Sequence, residues 1–426
     1  MKTMILETLT HEIKPATGCT EPVAVAYGAA LAKDLLGEEL QGLKVLVNSN
    51  LYKNGMGVFV PGTRKKGLHW AAALGALLGD SKKELEVLES IPGDSEDIGQ
   101  KFLHNHPVSV EFIKKMPEVY VEVKAWGERN NSRVVIKESH GNVVLKEVNG
   151  ENVYIKDIKS RDQKSGEFLT KDLNILYLME AIKKLTKEEL SFLAPVIEKN
   201  CSIGNKGKSE KLGLGVGYTL TRLMEKQRMG KDVLNEAKAL TAGASDARMS
   251  GEPFTVYSCA GSGNQGLAAS LPVIVMAKDL RLSKERLLQG LALSFMVTIY
   301  VKNKIGRLSA LCGCGIAAGV GSAVAIGDFL GMTPVQIEKG IQSIIGNLTG
   351  MICDGAKPGC ALKLSTSVGA VMEMMFLAKE GTCISRNEGI IGDSLQQSIE
   401  NLGILSLQGM ENADDLILKM MVAQNQ

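Results

Sequence analysis

The sequence predicts an α+β protein in which a small α+β domain is attached to a larger all-α domain that carries the cysteine motifs. Short β-branched runs of alternating polarity cluster between residues 40 and 155. Apolar segments of helical period, separated by glycine-rich stretches, fill most of the chain after residue 160. Aromatic residues make up only 4% of the chain, which also has 46 glycines and 18 methionines. This composition favours small side chains between closely packed helices.

Residues 1–39 are expected to form an N-terminal helical segment that packs near the active site. Residues 4–13 have a helical pattern, which Pro15 breaks. The GCTEP motif then opens an alanine-rich helix that ends near Gly37, so Cys19 is predicted to lie at or beside a helix N-terminus.

The small α+β domain is expected to span residues 40–160. Helical stretches near 66–79 and 94–104 interrupt its strands, and the polar stretch 156–167 is the predicted linker. The strand-like runs are LKVLVNSN, VSVEFIKK, VYVEVKAW, SRVVIKES and NVVLKEVN.

Residues 161–426 are expected to form the all-α domain, interrupted by glycine-rich stretches at 242–266, 306–319 and 349–360. The run Leu308–Gly327 has no charged residue and approaches the length of a membrane-spanning helix. Because it is rich in Gly, Ala, Ser and Cys, a buried core segment is the better interpretation.

Neither a membrane nor a nucleic acid is an expected partner. The N-terminus lacks the apolar core of a signal peptide, so we expect a cytoplasmic protein. The net charge is only +2, without the excess of basic residues typical of nucleic-acid binding. No phosphate-binding glycine motif and no pyridoxal phosphate lysine motif is recognisable. A small amino-acid substrate is the expected partner, and a homo-oligomer is left open.

Eight cysteines in a cytoplasmic chain indicate metal binding or catalysis, because thiols stay reduced in that compartment. Cys353 and Cys360 lie seven residues apart in a glycine-rich loop, and either Cys312 or Cys314 could join them. Three thiolates would leave one iron of a four-iron cluster open as a Lewis acid. Ordinary buried thiols are the alternative explanation of this pattern.

The remaining cysteines and the histidines give weaker signals. Cys201, Cys259 and Cys383 have no partners in sequence, and His104 and His106 have no acidic or cysteine partners, so we expect no metal at these positions. Cys19 differs, because a helix N-terminus is expected to lower the pKa of its thiol.

The chain resembles the L-cysteine desulfidases, relatives of the iron–sulfur L-serine dehydratases. The resemblance runs from residue 18 to about 367 through five blocks, which are GCTEPVAVAYGAA, KNGMGVFVPGT, GSGNQG, RLSALCGCG and CDGAKPGCALKLS. It implies a [4Fe–4S] cluster on three cysteines and the breakdown of L-cysteine to hydrogen sulfide, ammonia and pyruvate.

The resemblance also implies roles for individual residues. Cys353 and Cys360 match the paired cluster ligands, Cys312 is preferred to Cys314 as the third, and Cys19 matches the cysteine proposed as the catalytic base. The candidate substrate-binding residues in the matching blocks are Thr20, Glu21, Lys53, Asn54, Ser262 and Asn264. Further candidates for substrate or cluster contacts are Asp246, Arg248 and Lys357.

Other functions remain open from the sequence. One is an ammonia-lyase of the L-serine dehydratase type that acts on another β-substituted amino acid. The serine enzymes, however, have Ser-Ser-His-Thr where this chain has Thr-Gly-Cys-Thr. Others are a non-catalytic metal-binding protein and a hydrolase that uses Cys19 as its nucleophile.

Overall fold

The α+β class is confirmed by the structure, a computed structural model that describes residues 1–114, 116, 119–156 and 174–424. A six-stranded mixed sheet with helices occupies the first part of the chain, and the later part is mainly helical. The predicted linker at 156–167 lies outside the described residues apart from Lys156. The predicted domain boundaries stay predictions.

The N-terminal segment consists of helix α1 (Lys2–Glu12), strand β1 (Ile13–Thr17) and helix α2 (Thr20–Leu36). Gly37 ends α2 in the left-handed conformation, as predicted. Pro15 does end the first helix, but it lies in a strand that pairs with β8 (Thr255–Cys259). Sequence periodicity could not reveal β1, because its partner lies far along the chain.

The six-stranded sheet contains every strand that the alternating runs predicted. Its order is β3-β2-β4-β5-β6-β7; β2 and β3 are parallel and every other pair is antiparallel. The edge strand β7 was not predicted; all its residues are exposed, so it lacks the alternation of a half-buried strand. The bounds are β2 Gly42–Asn48, β3 Val108–Ile113, β4 Tyr120–Trp126, β5 Asn131–Lys137, β6 Val143–Val148 and β7 Glu151–Ile155.

Three further helices accompany the sheet: α3 (Ser49–Met56), α4 (Leu68–Leu78) and α5 (Ser95–Asn105). Helices α4 and α5 were predicted, whereas α3 contains the KNGMG segment and was not. Helix α2 packs against α4 and against the sheet strands β4 and β5. The core of the sheet therefore includes α2, whereas α1 contributes its apolar side chains to the core of the helical part.

The described residues of the helical part include the strand β8, so the prediction of an all-α region was wrong there. This strand follows Met249, and residues 242–249, predicted as part of a glycine-rich loop, continue α9. The helices are α6 Ile175–Lys183, α7 Ala194–Ser209, α8 Val216–Glu225, α9 Val233–Met249, α10 Gly263–Asp279, α11 Lys284–Ile305, α12 Ala317–Phe329, α13 Pro334–Leu348, α14 Cys360–Lys379, α15 Leu395–Ile404 and α16 Ala413–Gln424.

Close helix crossings at glycines confirm the expectation from composition. A Cβ atom on Gly207 of α7 would lie 1.9 Å from the carbonyl oxygen of Gly243 in α9. A Cβ on Gly217 of α8 would lie 2.4 Å from the Cα of the same Gly243. Backbones therefore touch at these crossings, where no larger residue fits.

The uncharged run Leu308–Gly327 is a loop followed by α12, and every residue of α12 except Asp328 is buried. A different helix, α14, is long and apolar enough by length and composition to cross a membrane. Within its apolar window 44% of the residues are buried, and α14 packs against α9 and α13. These helices are core helices in the structure.

Candidate active site

The N-terminus of α2 and the turn after β8 form one half of the site. Cys19 is the N-cap residue of α2 and is 2% exposed, as the sequence predicted for its position. Pairing of β1 with β8 brings this helix end to the turn, where the Thr20 hydroxyl donates to the Gly261 carbonyl oxygen at 2.9 Å. Ala260 and Gly261 both have a left-handed backbone, which reverses the chain before Ser262 caps α10.

Glu21 is a buried carboxylate that collects hydrogen bonds from this half of the site. It accepts from the Cys19 thiol at 3.0 Å, from the Thr20 hydroxyl at 3.1 Å and from the Asn54 amide at 2.9 Å. Burial alone would raise its pKa, but His140 and these donors together lower the pKa below the ordinary value. Glu21 is therefore ionised at neutral pH.

Cys19 does not have the lowered pKa that its place at a helix N-terminus suggested. Burial and the negative charge of Glu21 raise the pKa of the thiol well above its ordinary value, and the positive charge of Arg248 opposes this only in part. The expected pKa direction was wrong because the sequence did not reveal that the thiol is buried and donates to a carboxylate. Cys19 is a protonated thiol when nothing else is bound.

His140 belongs to this half of the site and was missed from the sequence. It lies in the turn between β5 and β6, is 6% exposed, and would be 3.1 Å from a Cβ on Gly261. Burial lowers its pKa, while the negative charge of Glu21 acts in the opposite direction. A single histidine between two strands matches no functional motif, so its role could not be predicted from the sequence. The fold brings it close to Glu21.

Several buried polar atoms around Glu21 have no hydrogen-bond partner in the described part of the chain. Arg248, at the end of α9, donates one hydrogen bond to the Asn264 side-chain oxygen at 3.1 Å, but its Nε has no partner. The other such atoms near the site are Asn54 Oδ1, His140 Nε2 and Gln265 Oε1. Since unpaired buried polar atoms are costly, their clustering is typical of a ligand site.

The two cysteine motifs form the second half of the site and lie side by side. Leu311 and Ile352 form an antiparallel bridge, the Cys312 N–H donates to Met351 at 2.9 Å and the Cys353 N–H donates to Ala310 at 2.6 Å. Cys360 is the first residue of α14. The backbone thus presents Cys312 and Cys353 from adjacent segments.

The thiols of Cys312, Cys353 and Cys360 are close enough to influence one another. A hydrogen bond with Cys314 and burial raise the pKa of Cys312 well above its ordinary value. Burial is the main cause that raises the pKa of Cys353, and it raises the pKa of Cys360 to about 12. A negative charge on Cys312 would raise the pKa of both of these thiols, so the three cysteines lie within electrostatic range of one another.

The two halves of the site meet at Cys19 and Cys360. Cys19, Val58 and Met249 form a small buried cluster against which Ala356 and Cys360 pack. The Ser262 hydroxyl, at the start of α10, lies 3.5 Å from the Cys314 sulfur. The candidate base and the candidate metal ligands, which are hundreds of residues apart in the chain, therefore share one site.

Buried lysines surround the cysteines. Lys302 is 6% exposed, donates to the Ser309 hydroxyl at 3.2 Å and is faced by Cys353, Cys314 and Cys312. Burial lowers its pKa, and negative charge on those thiols would raise it. Lys302 lies in no recognisable motif, so it was not predicted from the sequence as a site residue.

Lys53, predicted to bind substrate, binds the chain itself. It is 1% exposed and donates to the Cys353 carbonyl oxygen at 3.1 Å and to the Asp414 carboxylate at 2.5 Å. Lys357, another candidate, forms an ion pair with Asp354. Both lysines therefore support the cysteine loop in this structure.

Cys312, Cys353 and Cys360 match the protein ligands of a four-iron cluster with one open iron in donor type and number. Among the described residues no group of three His, Cys, Asp or Glu side chains is arranged to hold one metal ion. Sulfur ligands of one ion must all lie about 2.3 Å from it, whereas the cysteines of a cluster bind different irons. Three cysteines, one buried and two half-buried, beside buried lysines suit such a larger, negatively charged group.

Asp246, a further sequence candidate, and His106, where no metal is expected, have structural contacts. Asp246 accepts hydrogen bonds from the backbone N–H groups of Leu214 and Gly217 at the start of α8, and burial raises its pKa to about 6. His106 stacks on Phe102 and contacts the Gln41 carbonyl oxygen at 3.2 Å. These contacts leave neither side chain directed at the cysteines.

The chain belongs to the serine dehydratase alpha chain family, whose model matches residues 82–419. It is 41% identical over 424 residues to a UPF0597 protein of Clostridioides difficile and 41% identical over 430 residues to one of Alkaliphilus oremlandii, with 99% of each chain covered. It is 38% identical over 423 residues to a UPF0597 protein of Clostridium tetani, with 98% of both chains covered. Membership of this family supports an ammonia-lyase-like function.

Proposed function

We propose that the protein is a carbon–sulfur lyase that converts L-cysteine and water to hydrogen sulfide, ammonia and pyruvate with a [4Fe–4S] cluster. The observation that carries this proposal is the packing of Cys360, from the cysteine motifs, against the hydrogen-bonded pair of Cys19 and Glu21. Family membership supports the ammonia-lyase part of the reaction. A cysteine in place of the serine enzymes' histidine motif supports the change of substrate.

Cys312, Cys353 and Cys360 are the proposed cluster ligands. Cys312 is favoured over Cys314 because its backbone pairs with the segment that carries Cys353, whereas the Cys314 sulfur lies against the Ser262 hydroxyl. The buried ammonium group of Lys302 would offset the negative charge of three thiolates. A bound cluster would supply an open, Lewis-acidic iron that eases departure of the β-sulfur.

Cys19 and Glu21 are the proposed proton acceptors. The α-proton of the substrate passes to the Cys19 sulfur as the thiol proton moves across the 3.0 Å hydrogen bond to the Glu21 carboxylate. The pair gains one proton in this step and never carries two negative charges. The electron pair left on the α-carbon forms the double bond as the β-sulfur leaves.

Thr20, Asn54, Ser262 and Asn264 are the proposed surroundings of the substrate. Thr20 ties the N-terminus of α2 to the turn before α10, and Ser262 begins α10 beside Cys314. Asn54 holds Glu21 and leaves its own Oδ1 without a partner. Lys53 contributes by holding the Cys353 loop.

An ammonia-lyase acting on L-serine is the second candidate, favoured by the family description. The two candidates differ in the leaving group, which is sulfide for L-cysteine and hydroxide for L-serine. Elimination from either amino acid ends in pyruvate and ammonia. Sulfide release is therefore the product that separates them.

Anaerobic reconstitution tests the proposal. The protein is loaded with iron and sulfide, its iron content and absorption spectrum are measured, and sulfide and pyruvate are assayed with L-cysteine and with L-serine. We expect about four irons per chain, sulfide and pyruvate from L-cysteine, and little pyruvate from L-serine. Pyruvate from L-serine alone would favour the second candidate, and zinc without iron would contradict both.

Ligand variants sharpen this test. Cys312→Ala, Cys353→Ala and Cys360→Ala are each expected to lose most of the reconstituted iron, whereas Cys314→Ala retains it. Cys383→Ala is the matched control, since Cys383 is exposed. Iron retained by Cys312→Ala and lost by Cys314→Ala would move the third ligand to Cys314.

A further inference from the structure

We propose that Arg248 is the receptor for the α-carboxylate of the substrate, so that the site selects α-amino acids over amines that lack this group. The inference deepens the proposed function and rests on it. The sequence offered Arg248 only as one of several candidates for substrate or cluster contacts, without a ligand group assigned to it.

Arg248 is a buried cation without an anion. It is 2% exposed, it donates a hydrogen bond to the neutral amide of Asn264, and its Nε has no partner in the described part of the chain. No carboxylate in the described part of the chain forms an ion pair with it. A buried charge without a counter-ion is strongly unfavourable, so an anionic ligand would stabilise the guanidinium group.

The nearby acidic groups of the protein do not supply that anion. Glu21 is bound by Cys19, Thr20 and Asn54, and the Cys19 thiol stays protonated beside it. Asp246, two residues before Arg248, accepts from the backbone at the start of α8. An anion from outside the chain is therefore the remaining partner.

The place of the guanidinium group suits a carboxylate. A Cβ on Gly263 would lie 2.5 Å from Arg248 Nε and 2.7 Å from its Nη2, so the guanidinium lies against the first turn of α10. The N–H groups of a first helical turn favour an anion. Arg248 Nε, which has no hydrogen-bond partner in the described part of the chain, is a second, independent donor at the same place. An arginine can bind both oxygens of a carboxylate.

The other unpartnered atoms complete a match to an α-amino acid. Asn54 Oδ1 and Gln265 Oε1 are buried acceptors without donors. Acceptors of this kind suit an ammonium group, as the guanidinium suits a carboxylate. Gln265 Oε1 would lie 2.6 Å from a Cβ on Gly313, between Cys312 and Cys314, so this acceptor reaches the cysteine loop.

Two thiol inhibitors that differ in one charged group test the assignment. 3-Mercaptopropionate has the carboxylate and no amine, and cysteamine has the amine and no carboxylate. With reconstituted protein, Arg248→Met should weaken inhibition by 3-mercaptopropionate by at least about 30-fold, the usual loss when a buried charge partner is removed. Inhibition by cysteamine should change little. Where turnover is too slow, the change in cluster absorption on titration gives the same affinities.

A second variant keeps the test valid if Arg248→Met fails to fold. Gly263→Ala retains the charge but places a Cβ against the guanidinium, so it should show the same selective loss. Arg133→Met is the matched control, because Arg133 already pairs with Glu122 and Glu147 on the sheet. Equal losses for both inhibitors, or an unchanged affinity for 3-mercaptopropionate, would overturn the inference.

Failure of the inference can be told from failure of the proposed function. If the unsubstituted protein releases no sulfide from L-cysteine and binds neither thiol, the lyase proposal fails. If it releases sulfide while Arg248→Met and Gly263→Ala both keep their affinity for 3-mercaptopropionate, only the role of Arg248 fails.

Discussion

The Cys19 thiol and the Glu21 carboxylate lie side by side in a buried site, where only one of the two groups is negatively charged. Glu21 holds that charge, and the pKa of Cys19 rises because a second charge beside it is unfavourable. An acid–base pair of this kind exchanges a proton without a change in net charge. It suits a step in which a proton is taken from carbon and passed on.

Replacing Glu21 should lower the pKa of Cys19. In Glu21→Gln the amide keeps a hydrogen-bonding side chain but removes the negative charge that disfavours the thiolate. We expect alkylation of Cys19 by iodoacetamide to reach its half-maximal rate at lower pH than in the unsubstituted protein. Peptide-resolved mass spectrometry of the metal-free protein measures this. Glu7→Gln, at an exposed position of α1, is the control, and an unshifted Cys19 profile would contradict the coupling.

Individual residues of the site were predicted unevenly from sequence. Motifs revealed the cysteines and the Thr20–Glu21 pair because these residues are neighbours in the chain. His140 and Lys302 were missed, since each is a single residue inside an ordinary strand turn or helix. The raised pKa of Cys19 could not be predicted either, because burial depends on packing between distant segments.

At the scale of elements, the packing of α2 against α4 determines where Cys19 lies. Gly75 of α4 touches the backbone of α2: a Cβ there would lie 2.3 Å from the Ala26 carbonyl oxygen. Helix α2 would have to move away to admit any side chain. Its N-terminus, which carries Cys19, would move with it.

Gly75→Ala should therefore destabilise the protein although alanine is the better helix former. The overpacking cost is about 1–3 kcal/mol, which exceeds the gain of about 1 kcal/mol in helix propensity. The midpoint of urea unfolding measures the net effect. Gly93→Ala is the control, since a Cβ there meets open space. A more stable Gly75→Ala variant would show that the two helices separate easily.

The ion pair of Glu12 and Arg307 joins the end of α1 to the segment before Cys312. Burial raises the pKa of Glu12, but His11 and Arg307 outweigh burial, so the pKa is lowered overall. Because the pKa of Glu12 is lower in the folded state, the ionised carboxylate stabilises the fold at pH values above the unfolded-state pKa of about 4.3. This stabilisation is lost as the pH falls through the folded-state pKa.

Glu12→Gln should lower the free energy of unfolding by about 1–3 kcal/mol at neutral pH, the usual cost of leaving a buried hydrogen-bonding group unsatisfied. The difference from the unsubstituted protein should begin to shrink as the pH falls below the unfolded value of about 4.3, and it should vanish only below the lowered folded-state pKa, where Glu12 is protonated in both states. Urea unfolding across this pH range measures it. A difference that stays constant with pH would rule out the charge as its source.

Local periodicity predicted the elements of the sheet and most helices. The strands β2 to β6 alternate because one face is buried, and α4 and α5 show helical spacing. The exposed strand β7 and the short strands β1 and β8 lack that pattern. Their pairing depends on contacts with other strands, which a single sequence does not record.

Across the whole molecule, the last helix is tied to the site through Lys53. Its ammonium group joins Asp414 of α16 to the Cys353 carbonyl oxygen, and α16 packs against α3. The ion pair is partly buried, so loss of the carboxylate would leave the buried lysine without a counter-ion. The docking of α16 should depend on this one contact.

Asp414→Asn should release α16 and speed its removal by limited proteolysis. A proteolysis time course followed by mass spectrometry reports cleavage near Ala413. Asp415→Asn is the matched control, because Asp415 forms no ion pair in the described part of the chain. Equal cleavage rates for both variants would mean that apolar contacts alone hold the helix.

The pairing of β1 with β8 has a consequence for biosynthesis. The Ser258 hydroxyl bonds to the Lys14 carbonyl across 244 residues of sequence, and Thr20 reaches Gly261 across 241. A ribosome adds about 5–20 residues per second, so for many seconds the nascent chain exposes a thiol whose shielding partners have not yet been made. Low oxygen during translation, or a chaperone that holds the first strand, would protect that thiol until translation passes β8.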